Sequence, residues 1–190
     1  MKSKKLPIVI LTVLVIIGFI IGFFAGGYNR LVKAQTNVET KQADIQTQLQ
    51  RRADLIPNFI ATVKGYTKYE QETLTAVTQA RASVSKATDG ESLSQASDQL
   101  DKAISVWVNA VTEAYPELKA NSNYIALQDE LAGTENRIAV ARKDYNEAVQ
   151  SYNTMIKTFP KNILAGMFNF EKAAFFTASD GAQTVPNVEF

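Results

Sequence analysis

The chain has 190 residues, with 20 basic and 19 acidic side chains, a formal net charge of +1, and neither cysteine nor histidine. That composition excludes disulfides, thiol nucleophiles, Cys/His zinc sites, a Ser-His-Asp triad and the Glu-x-x-His di-iron pattern. No residue is assigned a catalytic, cofactor-binding or metal-binding role: a Ser-Lys dyad or paired carboxylates are compatible with the composition, but neither has a local motif.

From Leu6 to Asn29 there is no charged side chain, and Lys2, Lys4 and Lys5 stand just before that stretch. As a helix, Leu6 to Gly27 is about 33 Å long at 1.5 Å per residue, enough to cross a bilayer core. A cleaved signal peptide has a shorter apolar run and a small-x-small cleavage site, for which Ala25-Gly26-Gly27 is a weak match, so a retained anchor is the better reading. Leu6, Ile10, Val13, Ile17, Gly18, Ile21, Gly22 and Phe24 represent this expected span, and Gly18 and Gly22 form a Gly-x-x-x-Gly pair suited to close helix packing. Arg30, Lys33 and Lys41 nearly balance the N-terminal lysines across it. The lysines lie tight against the span and a long following domain crosses largely regardless of its charge, so the N-terminus is expected in the cytoplasm and the domain outside. The lack of cysteine fits that side of the membrane.

After the span the balance is 17 basic (20 minus Lys2, Lys4 and Lys5) against 19 acidic residues, about −2, with no block of like charge. That argues against nucleic acid as a partner and against a polybasic grip on anionic lipid. The expected organisation is residues 1–27 as flank and anchor, 28–176 as one helical domain, and 177–190 as a loose tail rich in small and polar residues.

The first helix continues from the span, because Leu31, Val38 and Ile45 recur at seven and interleave with Leu49, Ile56 and Val63 as two edges of one seam. Pro57 predicts a kink or short break at 54–58, since it lacks a backbone donor and restricts Ile56. A further helix is expected over about 59–86, with Val63, Tyr66, Leu74, Val77, Arg81 and Val84 near its inner face. Thr88-Asp89-Gly90 is a turn signal and Ser92 a candidate cap. The next helix runs to about Tyr115 through Leu93, Ala96, Leu100, Ala103, Ile104, Trp107 and Val111, where Pro116 ends it. The clearest pattern follows, in a helix of roughly 36 residues capped by Asn121 or Ser122 and stopped by Pro160. Leu127, Leu131, Thr134, Ile138, Ala141, Tyr145, Ala148, Tyr152, Met155 and Phe159 alternate four and three residues apart along it. Long helices with short connections give an all-α, up-and-down antiparallel bundle carried by a single transmembrane helix.

After Pro160, Ile163, Leu164, Met167, Phe168, Phe170, Phe175 and Phe176 crowd together with only Glu171 and Lys172 as charges. This segment either folds back to close one end of the bundle or presents an apolar patch to a membrane or partner subunit. Closure is the commoner outcome; Phe168, Phe170, Phe175 and Phe176 are the candidate contacts under the second.

Several segments, in order, resemble the LemA family of single-span bacterial membrane proteins. They are Tyr28-Asn29-Arg30-Leu31-Val32, Gln48-Leu49-Gln50-Arg51-Arg52-Ala53-Asp54-Leu55-Ile56-Pro57-Asn58, Lys64-Gly65-Tyr66, Tyr69-Glu70 and Tyr115-Pro116-Glu117-Leu118-Lys119-Ala120-Asn121. Leu127-Gln128-Asp129-Glu130-Leu131, Tyr145-Asn146, Tyr152-Asn153 and Phe159-Pro160 complete the set. The resemblance implies a membrane-anchored helical bundle; it supplies no enzyme activity and no catalytic residue. It also reaches a protein of magnetosome membrane formation, which points to scaffolding or membrane shaping.

Read as chemistry, Arg51, Arg52 and Asp54 flank the Pro57 joint, where an Arg-carboxylate pair would hold the kink and Asp54 would cap the restarted helix. The other reading makes Arg51 and Arg52 an intersubunit clamp. Tyr115-Pro116 is a helix terminator, and Tyr145 and Tyr152 are core aromatics on the seam. The expected function is a non-enzymatic, homo-oligomeric scaffold at the membrane. The alternative is a sensory or adaptor module that binds a partner membrane protein such as a protease or sensor kinase.

Overall fold

The computed structural model describes residues 5–64 and 71–177, with side chains from Val9 to Lys64 and from Leu74 to Thr177. The expectations for Lys2 and Lys4, for Gly65, Tyr66, Tyr69 and Glu70, for the side chain of Leu6 and for the tail beyond Thr177 fall outside those residues. Among the described residues all the regular structure is helical. Its elements are α1 (Lys5–Lys64), α2 (Gln71–Lys86), α3 (Gly90–Ala114), a 3-10 turn (Pro116–Ala120), α4 (Ser122–Lys157) and α5 (Lys161–Met167). The chain divides into two compact units, Met1–Glu39 with Ala148–Ala173 and Thr40–Glu147 with Ala174–Phe190.

In the second unit the ion pairs and ring contacts fix the register. Lys41 meets Asp144 at 3.2 Å, Arg51 meets Glu130 at 2.7 Å, and the Phe59 and Tyr124 rings lie 5.0 Å apart, so α1 and α4 run antiparallel. The Gln42 amide donates to the Thr88 carbonyl, Arg52 meets Asp101, and Phe59 meets Trp107, so α3 rises alongside α1 in the same direction. α2 descends between them, tied to α1 by Arg81 and Asp54 at 3.3 Å. Ile45, Leu49, Ile56, Val77, Val84, Leu93, Leu100, Val111 and Ile138 are buried together as the seams require.

Asp89, not Ser92, caps α3. Its carboxylate accepts from the Ser92 amide at 2.8 Å while the Ser92 hydroxyl accepts from the Asp89 amide, a reciprocal capping box. The sequence pointed to Ser92 because serine caps well; here it occupies the third helical position and completes the box. The Ser92 amide, and then its hydroxyl, hold the Asp89 carboxyl below its ordinary value. A depressed carboxyl contributes stability that is present above the unfolded pKa and lost as pH falls through the folded one. Asp89→Asn caps without titrating. An acid titration of unfolding midpoints should therefore show the wild type losing more stability than this variant at and below the ordinary carboxylate range. Parallel curves would remove the cap from the acid response.

Three boundaries differ from expectation. No break occurs at 54–58: α1 carries Pro57 inside it and continues to Lys64. An interior proline costs about 3 kcal/mol, and the burial of Ala53, Ile56, Phe59 and Val63 around it is what offsets the loss. The expected helix over 59–86 is therefore the end of α1 followed by α2, with 65–70 outside the described residues. On α4, Leu131 to Tyr152 are buried as the seam predicts, but Leu127 and Met155 are half-buried and Phe159 is exposed. Tyr124, Val149 and Ile156 take their places. With 3.6 residues per turn, Ile156 stands about five turns directly above Ile138, whereas Met155 points about 100° away. A strict heptad is followed only by a supercoiled helix.

Asn121 caps α4 as expected, its side-chain oxygen accepting from the amides of Asn123 and Tyr124. Tyr115 is the C-cap of α3, and Pro116 opens the 3-10 turn that follows.

Candidate functional site

Two groups of side chains do more than fill a core. The first is in the unit formed by Met1–Glu39 and Ala148–Ala173, and begins with the apolar stretch of α1. That helix is long and apolar enough to cross a membrane, and none of its most apolar window is covered by protein. Ile10, Val13, Ile17, Ile21 and Phe24 are all exposed. Gly18, Gly22 and Gly26, spaced by four, each have open space where a Cβ would stand. At Gly27, by contrast, a Cβ would run into the Leu164 side chain, so this glycine lets α5 lie directly against α1.

α5 follows Pro160 and is closed by hydrogen bonds from the Phe168 amide to the Leu164 carbonyl and from the Phe170 amide to the Ala165 carbonyl. Asn169 makes the turn possible with φ of 54°, a left-handed value that asparagine adopts more readily than most residues. One side of α5 buries Leu164 and Ala165. Ile163 (50%) and Met167 (64%) remain in the open, as do Phe168 (52%) just after the helix and Phe159 (75%) in the turn before it. The Phe168 ring lies 4.8 Å from that of Tyr28, and Phe170 lies 5.8 Å from the same ring. Phe168 and Tyr28 share an apolar groove with Ile20, Ile21, Phe24 and Ala25 of α1.

Beyond Phe170 the chain is held without regular structure. The Tyr152 hydroxyl donates to the Glu171 carbonyl at 2.8 Å, and the Asn153 amide both donates to and accepts from Ala173. The same device occurs within the other unit: the Tyr145 hydroxyl donates to the Ala174 carbonyl and the Asn146 amide makes a two-way pair with Phe176. Ser94 adds a bond to the Thr177 carbonyl. Both tyrosines are buried as expected, yet their hydroxyls and the asparagines beside them are what hold the terminal segment. Burial, followed by nearby carboxylates, pushes both phenols above their ordinary value, so they remain donors. Sequence reasoning missed this role. The signal was the Tyr-Asn dipeptide repeated at seven residues.

The second group is a charge cluster around one buried arginine, in the unit formed by Thr40–Glu147 and Ala174–Phe190. Arg52 points inward from α1 and is almost wholly buried, meeting Asp101 of α3 at 3.0 Å and Glu135 of α4. Arg142 of α4 reaches the other Asp101 oxygen at 3.2 Å, donates to Ser97, and stacks over the Phe176 ring at 4.9 Å. Two cations and two carboxylates neutralise one another. Burial pulls the Arg52 guanidinium down from its ordinary value, Asp101 opposes that fall, and Arg142 adds to it. The pairing is ionic but poorly aligned: neither Arg52 Nη1 nor Asp101 Oδ1 makes a directed hydrogen bond, and both arginine Nε atoms lack one.

The structure thus separates the residues grouped at the expected joint. Asp54 caps no restarted helix; it takes Arg81 from α2 and the Gln50 amide. Arg51 is half in solvent on Glu130, which also receives Arg137. The aromatic residues separate too. Phe176 is buried beneath Arg142, Phe170 is half-buried beside Tyr28, and Phe168 and Phe175 are exposed.

Against known proteins, residues 41–190 match the model of the LemA family. The chain is 30% identical to Protein LemA of Metamycoplasma hominis over 172 residues, which is 90% of this chain and 78% of that one. It is 24% identical over 202 residues to Magnetosome protein MamQ 2 of Paramagnetospirillum magneticum, covering 93% of this chain and 74% of the relative. Magnetosome protein MamQ of Magnetospirillum gryphiswaldense is 21% identical over 182 residues, or 83% and 67% of the two chains.

Proposed function

Since the chain belongs to the LemA family, we propose that it is a non-enzymatic, membrane-anchored helical scaffold that self-assembles in the membrane plane and thereby organises or shapes the membrane. The observation that carries this reading is the uncovered apolar helix, with Gly18, Gly22 and Gly26 open along it. Within a bilayer there is no hydrophobic drive between helices, and glycines at this spacing let two backbones approach until dispersion and weak hydrogen bonds hold them. The seams of the polar helices are already filled by the chain's own side chains. The likeness to proteins named for the magnetosome supports a membrane-organising role over an adaptor. The bundle stands on the extracytoplasmic side.

The assembly state of the full-length protein, extracted gently from membranes, tests this by light scattering and direct imaging. A regular homo-oligomer is expected, and Gly18→Leu with Gly22→Leu should dissociate it with helix content unchanged. A monomer, or particles carrying a foreign protein in fixed ratio, would overturn self-assembly and make the chain an adaptor for that partner.

A further inference from the structure

Ile163 and Met167 lie one turn apart on α5 and are exposed, as are Phe159 in the turn before it and Phe168 just after it. Each is half exposed or more, while Leu164 of α5 packs against Gly27 of α1. Large side chains seldom stay open to water in a group, and such groups mark contact surfaces. The position of this one identifies what it contacts. Phe168 shares its groove with Ile20, Ile21, Phe24, Ala25 and Tyr28, the last turns of the uncharged stretch. Gly27, beneath Leu164, lies at the end of that stretch. A group held at this level of a membrane span lies at the depth of the lipid headgroups and first acyl carbons. There, aromatic and long apolar side chains are favoured, and lysines extend toward the headgroups. Lys157 and Lys172 flank this segment in sequence, and Lys161 lies within it.

We propose that residues 159–168 form a second, interfacial membrane anchor, whose exposed Phe159, Ile163, Met167 and Phe168 enter the bilayer beside the span. This rests on reading the apolar part of α1 as that span. The attachment is hydrophobic, and the span supplies its local concentration, so a seven-residue helix is sufficient where free in solution it would not bind. Two attachment points fix the rotation of the span about its own axis, and so choose which of its faces meets a neighbour.

The absence of cysteine makes the test direct. Met167→Cys, Val13→Cys and Lys102→Cys are labelled singly with an environment-sensitive fluorophore in the full-length chain, reconstituted in phosphatidylethanolamine and phosphatidylglycerol vesicles. Nitroxide-labelled lipid is expected to quench the probes at positions 13 and 167 to similar extents, with the probe at 167 shielded from aqueous iodide and the probe at 102 open to it. If 13 is quenched by lipid while 167 responds only to iodide, the second anchor is wrong and the span stands. A probe at 167 shielded from both quenchers, and released on diluting the protein into excess lipid, would make these side chains a contact between copies. If the probe at 13 escapes the lipid quencher, the span reading falls and this proposal with it.

Discussion

Arg52→Ala should lower the unfolding free energy by about 3 kcal/mol, whereas Arg51→Ala, one residue away, should cost no more than about 1 kcal/mol. The difference is burial. The Arg52 side chain is 7% exposed and meets Asp101, at 25%, and Glu135, at 42%, so removing it leaves mainly Asp101 short of a counter-charge where water only partly reaches. Breaking a buried pair in this way costs about 3–5 kcal/mol. The lower end applies because Asp101 keeps Arg142 and Glu135 is partly open. The Arg51 side chain is itself more than half exposed, against 7% for Arg52, so water replaces its contact with Glu130 at little loss. Denaturant titrations of the full-length chain in detergent, followed by helix circular dichroism, measure both. Equal costs for the two substitutions would show that the Arg52 cluster is not the closed electrostatic unit described above.

Phe59→Ala should cost about 3–5 kcal/mol, the range for emptying an aromatic site in a packed interior. Phe59 is buried edge-on to Trp107 and Tyr124, with ring centres at 5.1 and 5.0 Å, so its removal strips contacts from α3 and α4 at once. Trp107 is the chain's single tryptophan. Its emission reports the site itself, and a red shift in the folded variant should accompany the lost stability. Because Phe59 follows Pro57 on α1, the result also bears on the helix path. Were α1 broken at the proline, Phe59 would not be held against both partners, and its truncation would cost little.

Several elements were legible before any coordinates. Leu31, Val38, Ile45, Leu49, Ile56 and Val63 are buried as their sevenfold spacing requires, and Asn121 caps a helix of 36 residues. The misreadings share a cause. The rule for Pro57 is local and allows a kink or a short break; the break does not form, because Ala53, Ile56 and Phe59 are buried on either side of it. The heptad on α4 fails at Met155 and Phe159, where a period of 3.6 residues moves the buried face to Ile156. Arg51, Arg52 and Asp54 are neighbours in sequence but meet Glu130, Asp101 and Arg81 respectively. On a helix adjacent residues point about 100° apart, so three neighbours face three environments.

What the sequence alone determined is what depends on composition and period: an apolar N-terminal helix of spanning length, long helices with filled seams, membership of one family, and the exclusion of cysteine and histidine chemistry. Those features need no knowledge of which element lies beside which. Tertiary structure decided the rest. It placed Asp101 and Glu135 around Arg52, gave the two Tyr-Asn pairs a backbone to hold, and split the aromatic segment between a buried Phe176 and an open Phe168. Each of these joins residues far apart in the chain. Their energies come from desolvation and directed hydrogen bonds, and both depend on what surrounds a side chain in space rather than on its neighbours in sequence.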